Sequence, residues 1–425
     1  MDLLATTPPG PAAPAVRARP VSAWLEAPLV GNHWVLAAAL SSSYLLARAV
    51  TGRRGKVGRA AATWSLFLPA ARAVILLAYA MAAFAKLNSD FFDPVTSCAV
   101  FYHDQLVRSW GLDGLSSVGR PGFGRGIALA ASLVELSVPL LLTIRITRRA
   151  GLLLALSFHW LLALDLEQHF WDFSSVLLVA FLLFLDREQV AAMASIGRRW
   201  RETLRPSVRL LLTTIGVVTA AVVTASAALS AGPALHGAAV LLGHLGWMSL
   251  GTAALVVVAV TTARTRPAPD RLVLPAVAVL LVPVLVALNG LTPYLELKTG
   301  FGWNMYSNLR TVSGETNHLL LPGTIDLTGL QSDQVEILAS SDPALARLVG
   351  SEYAVVRSEL QEYAQANPEA SVTYRRDGEV RVADRIGDDL AGTGEVSEVS
   401  HRLQSFRAVD VSGAERCQAV FSPAR

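Results

Sequence analysis

Lys86 stands at the end of an apolar run, YAMAAFAKLNSDFFDPVTSCA, and is the residue whose position most invites chemistry. A lysine at a helix end often snorkels, its stem along apolar surface and its ammonium among lipid headgroups. The other reading puts it in a poorly hydrated pocket. Burial there disfavours the ammonium and leaves an amine able to act as a base. A second cluster lies in FHWLLALDLEQHFWDFSS, where His159 sits in apolar sequence and Asp165, Glu167, His169 and Asp172 follow. His159 alone reads equally as a hydrogen-bonded core histidine, but ionisable residues grouped inside apolar sequence are a functional-site hypothesis by default. His and carboxylates can bind zinc or iron. His159 and His169, ten residues apart, match no standard ligand spacing, so no metal is assigned. Trp160 and Trp171 read as an interfacial belt rather than a cofactor box.

Glu135, in ASLVELSVPLLL, is a third candidate. A bare carboxylate in apolar surroundings is costly, so it is either protonated and bonded between helices or turned to a partner such as Lys86 or His159. A fourth is GFGWNMYSNLRTVSGETNHLLLP. It reads as a domain linker or, given the density of Trp303, Met305, Tyr306, Asn308, Arg310, Asn317 and His318, as a lid or site wall. Phosphate-cradling glycine loops, a serine-hydrolase elbow and zinc-finger spacing are absent from the sequence.

The elements that must position these residues are apolar helices. The chain of 425 residues is 52% hydrophobic and 16% charged, with a mean hydropathy of +0.44. Soluble domains average about 25% charged. A spanning helix needs about 20 mostly apolar residues. Runs that fit, or nearly fit, are 34–50, 66–87, 126–146, 151–166, 173–185, 210–230, 240–262 and 272–291. The expected fold is therefore an all-α polytopic membrane domain of about eight transmembrane helices, over residues 23–299. The fourth and fifth runs are short and flank the polar stretch from Asp165 to Asp172, as a bent or re-entrant pair would. Residues 1–22 read as a disordered Pro/Ala-rich leader without the apolar core of a signal peptide.

After residue 300 the apolar runs shrink to strand length, and 300–425 is expected to be a small α+β domain. SVTYRRDGEVRVADR alternates about Asp377-Gly378, a hairpin signal. DPALARLVGSEYAVVRSELQEYAQAN reads as one amphipathic helix or two, and QSFRAVDVSG and RCQAVF as strands. Arginines cluster in alternate loops: Arg53, Arg54 and Arg59; Arg145, Arg148 and Arg149; Arg198, Arg199, Arg201, Arg205 and Arg209; Arg264, Arg266 and Arg271. These loops are expected to be cytoplasmic, with both termini and the α+β domain extracytoplasmic in a cell (inner or plasma) membrane. Lys86 then lies on the outer side, against the positive-inside trend. The net charge of +3 is thus topology information, and with no basic face interleaved with aromatics nucleic acid is not an expected partner. Cys98 and Cys417, the two cysteines, both fall outside, where a disulfide can form. A bond between them is expected, against the alternative of two free or buried thiols.

Three segments together resemble the vitamin K-dependent γ-carboxylase-like proteins and their horizontally transferred transmembrane (HTTM) domain. FAKLNSDFF resembles the family's lysine followed by Leu, a polar residue and Asp. FHWLLALDLEQHFWDFSSVLLVAFLLFL resembles its later helix pair, and NMYSNLRTVSGETNH the segment that bacterial relatives carry after the last helix. The match covers roughly residues 60–190 and 300–318. It implies a membrane enzyme that oxidises a reduced naphthoquinone, menaquinol or vitamin K hydroquinone, with O2. In that family a neutral lysine deprotonates the hydroquinone, oxygen adds, and a strong base forms on the way to the quinone epoxide. The base removes a glutamyl γ-proton, and CO2 adds to the carbanion. Lys86 would be the base and His159 a hydrogen-bonding partner of the oxygenated species. Glu135, Asp165, His169, Asp172, Asn308, Arg310 and His318 would shape the quinone and substrate pocket. An extracytoplasmic peptide or protein would be the acceptor and the lipid bilayer a constant partner. The family's doubled lysine is single here, with Ala85 beside Lys86, and only about 125 residues follow the last apolar run, far fewer than in the animal carboxylases. The alternatives are a non-catalytic transporter or assembly factor with the same fold, or a membrane anchor for an extracytoplasmic binding domain.

Overall fold

The computed structural model describes residues 31–52, 56–167, 170–208, 241–267, 272–390, 404–414 and 416–417. The expected span at 210–230 and the leader lie outside them. The main helices of the N-terminal part are α1 Asn32–Val50, α2 Lys56–Ala85, α3 Cys98–Ser109, α4 Pro121–Thr143, α5 Arg148–Leu162, α6 Phe170–Phe181, α7 Arg187–Thr203, α8 Leu241–Arg264 and α9 Leu281–Leu291. Among the described residues, three stretches are long and apolar enough to cross a membrane: Gly58–Ala85 within α2, α4 and α8. α1, α5, α6 and α9 are shorter or more polar.

Most of the helices pack about one apolar core. Val74 and Ile75 of α2, Val138 and Leu142 of α4, Leu152 and Leu156 of α5, Leu177 and Phe181 of α6, Val258 of α8 and Val286 of α9 meet there. Leu129, Leu133 and Leu140 of α4 and Leu245 and Leu250 of α8 face outward instead. Apolar side chains on both faces of a helix fit a bundle whose outer surface meets lipid. α4 and α5 form a tight hairpin in which a Cβ on Gly151 would come within 2.7 Å of Leu141 Cβ, so glycine permits the approach. α7 starts from a capping box in which Asp186 accepts from the Gln189 backbone and the Gln189 side chain accepts in return.

Beyond α9, β1 Thr311–Val312 and β2 Glu315–Thr316 pair as a small ribbon. A five-stranded antiparallel sheet follows: β3 Gln334–Ser340, β4 Tyr353–Val356, β5 Val372–Arg376, β6 Glu379–Ala383 and β7 Val409–Asp410, in the order β6-β5-β3-β4-β7. α10 Arg357–Ala366 packs on it through Leu360 and Tyr363. The β5–β6 turn is Asp377-Gly378, with φ of 52° and 80°, as a two-residue hairpin requires. The expectation of one or two helices over DPALARLVGSEYAVVRSELQEYAQAN is corrected in the middle. The short helix Pro343–Ala346 and α10 are separated by β4, whose Ala354, Val355 and Val356 are buried and which pairs between β3 and β7. The strand expected in RCQAVF falls mostly outside the described residues.

Candidate functional site

Helical periodicity sets the site. Ile75, Ala78, Tyr79, Ala82 and Lys86 recur every three or four residues toward the end of α2, and Ile127, Ala131, Val134 and Glu135 do so on α4. Both stripes, with His33 of α1, Tyr102 of α3, His159 of α5, Phe173 of α6 and the segment Trp303 to Tyr306, enclose a largely apolar cavity of about 430 Å³. That lies in the range of about 300–1,000 Å³ typical of small-molecule sites.

Among the polar groups on the wall, Lys86 with Glu135 and His159 with Tyr79 form two pairs. Lys86 Nζ lies 2.7 Å from Glu135 Oε2, with side chains 9% and 13% exposed, and reaches toward the Met305 carbonyl at 3.5 Å. The ammonium end is turned to the neighbouring helix, which is not the posture of a snorkelling lysine. At 2.7 Å the contact has the length of a charge-assisted hydrogen bond. His159 is 4% exposed. Its Nε2 meets the Tyr79 hydroxyl at 3.3 Å, while Nδ1 has no hydrogen-bond partner among the described residues. Phe173 and Phe181 flank the ring, with centroids 5.5 and 5.8 Å away. Leaving such a nitrogen unsatisfied costs about 1–3 kcal/mol.

The remaining expected residues divide. Asp165 is on the wall, but its oxygens accept from Gln105 Nε2 at 3.1 Å and the Glu167 backbone at 2.9 Å. Its carbonyl meets His244 Nε2 at 2.9 Å, so Asp165 organises the turn between α5 and α6. Asp172 is half-exposed and pairs with His33 at 3.5 Å. It is His33 that lines the cavity. His169 lies outside the described residues.

Asn308, Arg310 and His318 do not line the cavity, contrary to the expectation that they would. Asn308 accepts from the Cys98 backbone and donates to the Thr96 carbonyl, both at 2.8 Å. His318 Nε2 donates to the Phe84 carbonyl at 3.0 Å, and Nδ1 accepts from the Leu320 backbone at 3.1 Å. Burial pushes the His318 imidazole below its ordinary range, with the Phe84 carbonyl pulling the other way. Arg310 stands 4.0 Å from Glu315. The physical reason is the irregular backbone, with positive φ at Trp303, Tyr306 and Asn308. Polar side chains in this segment serve unpaired backbone groups, and its apolar and aromatic residues face the cavity.

Cys98, on the cavity wall, is bonded to Cys417, with Cα atoms 4.7 Å apart. The Cys417 backbone N–H adds a hydrogen bond to the Thr96 carbonyl at 3.1 Å, so the tail is tied to the loop after Lys86. Tyr102 and Tyr306 pack edge to face at 4.8 Å beneath this tie. Burial, the main cause, pushes both phenols up and keeps them hydrogen-bond donors. Comparison with protein-family models, curated proteins and solved structures finds no match to this chain. Sequence reasoning missed Tyr79, His33 and Tyr102. Tyr79 was detectable, because it precedes Lys86 by seven residues and so shares its helix face; His33 and Tyr102 carry no comparable signal. No group of three or more His, Cys, Asp or Glu side chains placed to hold a metal occurs among the described residues.

Proposed function

We propose that the chain is a polytopic membrane enzyme that oxidises a reduced naphthoquinone with O2, in the manner of the vitamin K-dependent carboxylase-like family that its sequence resembles. One observation carries the reading: a buried Lys86–Glu135 pair and the His159 imidazole line one apolar cavity of about 430 Å³. Apolar walls suit a quinol ring, and the two polar pairs suit its hydroxyls. Glu135 takes a proton from Lys86, and the amine accepts one from the bound hydroxyl. His159, held by Tyr79, donates to or accepts from the oxygen that becomes reactive. Excluding water keeps the amine competent and protects any strong base from quenching. Trp303, Met305 and Tyr306 add to the apolar and aromatic wall. Carboxylation of a glutamyl residue with CO2 is the expected use of that base.

The proposal includes about eight spans: α1, α2, α4, α5, α6, α8 and α9, together with the apolar run at 210–230. α3 and the sheet then lie on the extracytoplasmic side of a cell membrane. A transporter would use the same polar groups as a path, and it predicts substrate uptake without quinol oxidation. Oxygen-electrode traces with menaquinol test the enzyme reading. The unaltered protein consumes O2 when quinol is added, and Ala131→Phe, which fills the cavity, does not. Equal consumption by a correctly folded Ala131→Phe variant would remove the cavity from the account.

A further inference from the structure

α7 plays no part in the proposed chemistry, yet its surface is unusual. Residues 187–205 hold five arginines against two glutamates. Arg187, Arg198, Arg199, Arg201 and Arg205 are all exposed. At about 100° per residue, Arg187, Arg198 and Arg201 share one flank of α7. Beside that flank runs an apolar stripe. Met193 packs against the bundle core, while Val190 and Trp200 are 52% and 57% exposed. The helix is also fixed at a definite level. Gln189 donates to Thr262 Oγ1 at 2.8 Å, and Asp186 pairs with Arg149, which caps the Thr265 carbonyl at 2.5 Å. Those contacts anchor α7 at the C-terminal end of α8, a stretch long and apolar enough to cross a membrane.

We propose that α7 is a binding site for anionic phospholipid headgroups, lying along the membrane surface opposite the sheet. Charge decides the occupant. An exposed tryptophan beside arginines, at the end of an apolar span, suits the headgroup level. Juxtamembrane arginines are drawn to phosphate-bearing lipids of net negative charge. The guanidinium forks of Arg198 and Arg201, three residues apart, can clasp one phosphate from two sides. The site rests on the membrane reading of the helices and is independent of the quinol chemistry.

The test uses the full chain in nanodiscs of phosphatidylcholine with phosphatidylglycerol, with retained lipids counted by mass spectrometry after detergent exchange. The unaltered protein retains phosphatidylglycerol in preference, and salt releases it. In R198Q/R201Q/R205Q the preference falls about fivefold per arginine, roughly a hundredfold in all. The corresponding triple lysine variant keeps most of it. Equal retention of both lipids by the unaltered protein, or a preference indifferent to salt, overturns the proposal without any variant. An unchanged preference in the folded glutamine variant overturns it equally.

Discussion

Removing either member of the Lys86–Glu135 pair leaves a charge, or a forced neutral polar group, in an apolar wall. With side chains 9% and 13% exposed and 2.7 Å between them, the pair belongs with buried ion pairs, where deleting one partner costs about 3–5 kcal/mol. An exposed pair is worth only about 0–1 kcal/mol. Lys86→Met and Glu135→Leu are therefore each expected to destabilise by about 3–5 kcal/mol. The double variant, with nothing left unpaired, is expected to lie near the unaltered protein. The assay is equilibrium unfolding in detergent, followed by tryptophan fluorescence, for all four members of the cycle. Losses that add, or single losses below about 1 kcal/mol, would refute the reasoning and return Lys86 to a solvated headgroup position.

Other consequences follow from the same geometry. Reducing the Cys98–Cys417 bond, or changing Cys98→Ser, is expected to lower stability by about 2–4 kcal/mol, read as a fall in melting temperature that reductant does not deepen in the variant. Gly151→Val should strain the α4–α5 hairpin by about 1–3 kcal/mol and leave the sheet domain's proteolytic pattern unchanged. His318 titrates below its ordinary value because of burial, so its contribution is complete above about pH 6.5. As the pH falls from there toward the folded value, the unfolded chain takes the proton first and that contribution is lost. The pH slope of the melting temperature below about 6.5 should flatten in His318→Asn, and an identical slope would contradict the assignment.

The sequence made some of this architecture legible and hid the rest for physical reasons. Long apolar runs announced α2, α4 and α8, because only length and composition matter there. The Asp377-Gly378 turn was readable because positive φ at two successive residues leaves few alternatives. β4 was not, since four apolar residues between helical segments fit either period. Lys86, Glu135 and His159 could be named as candidates because ionisable groups in apolar sequence stand out. Their partners depended on which helices touch, and periodicity does not tell that. Asn308, Arg310 and His318 were misplaced because a dense polar segment looks the same whether its side chains face a ligand or its own backbone.

The most direct test of the central claim is quinone epoxide formation by the purified protein given menaquinol, O2, bicarbonate and a short glutamyl peptide, beside Lys86→Ala. Epoxide from the unaltered protein and none from a folded Lys86→Ala variant is the predicted result. Epoxide at equal rates from both would contradict the role of Lys86, and epoxide from neither would contradict the quinol reading itself.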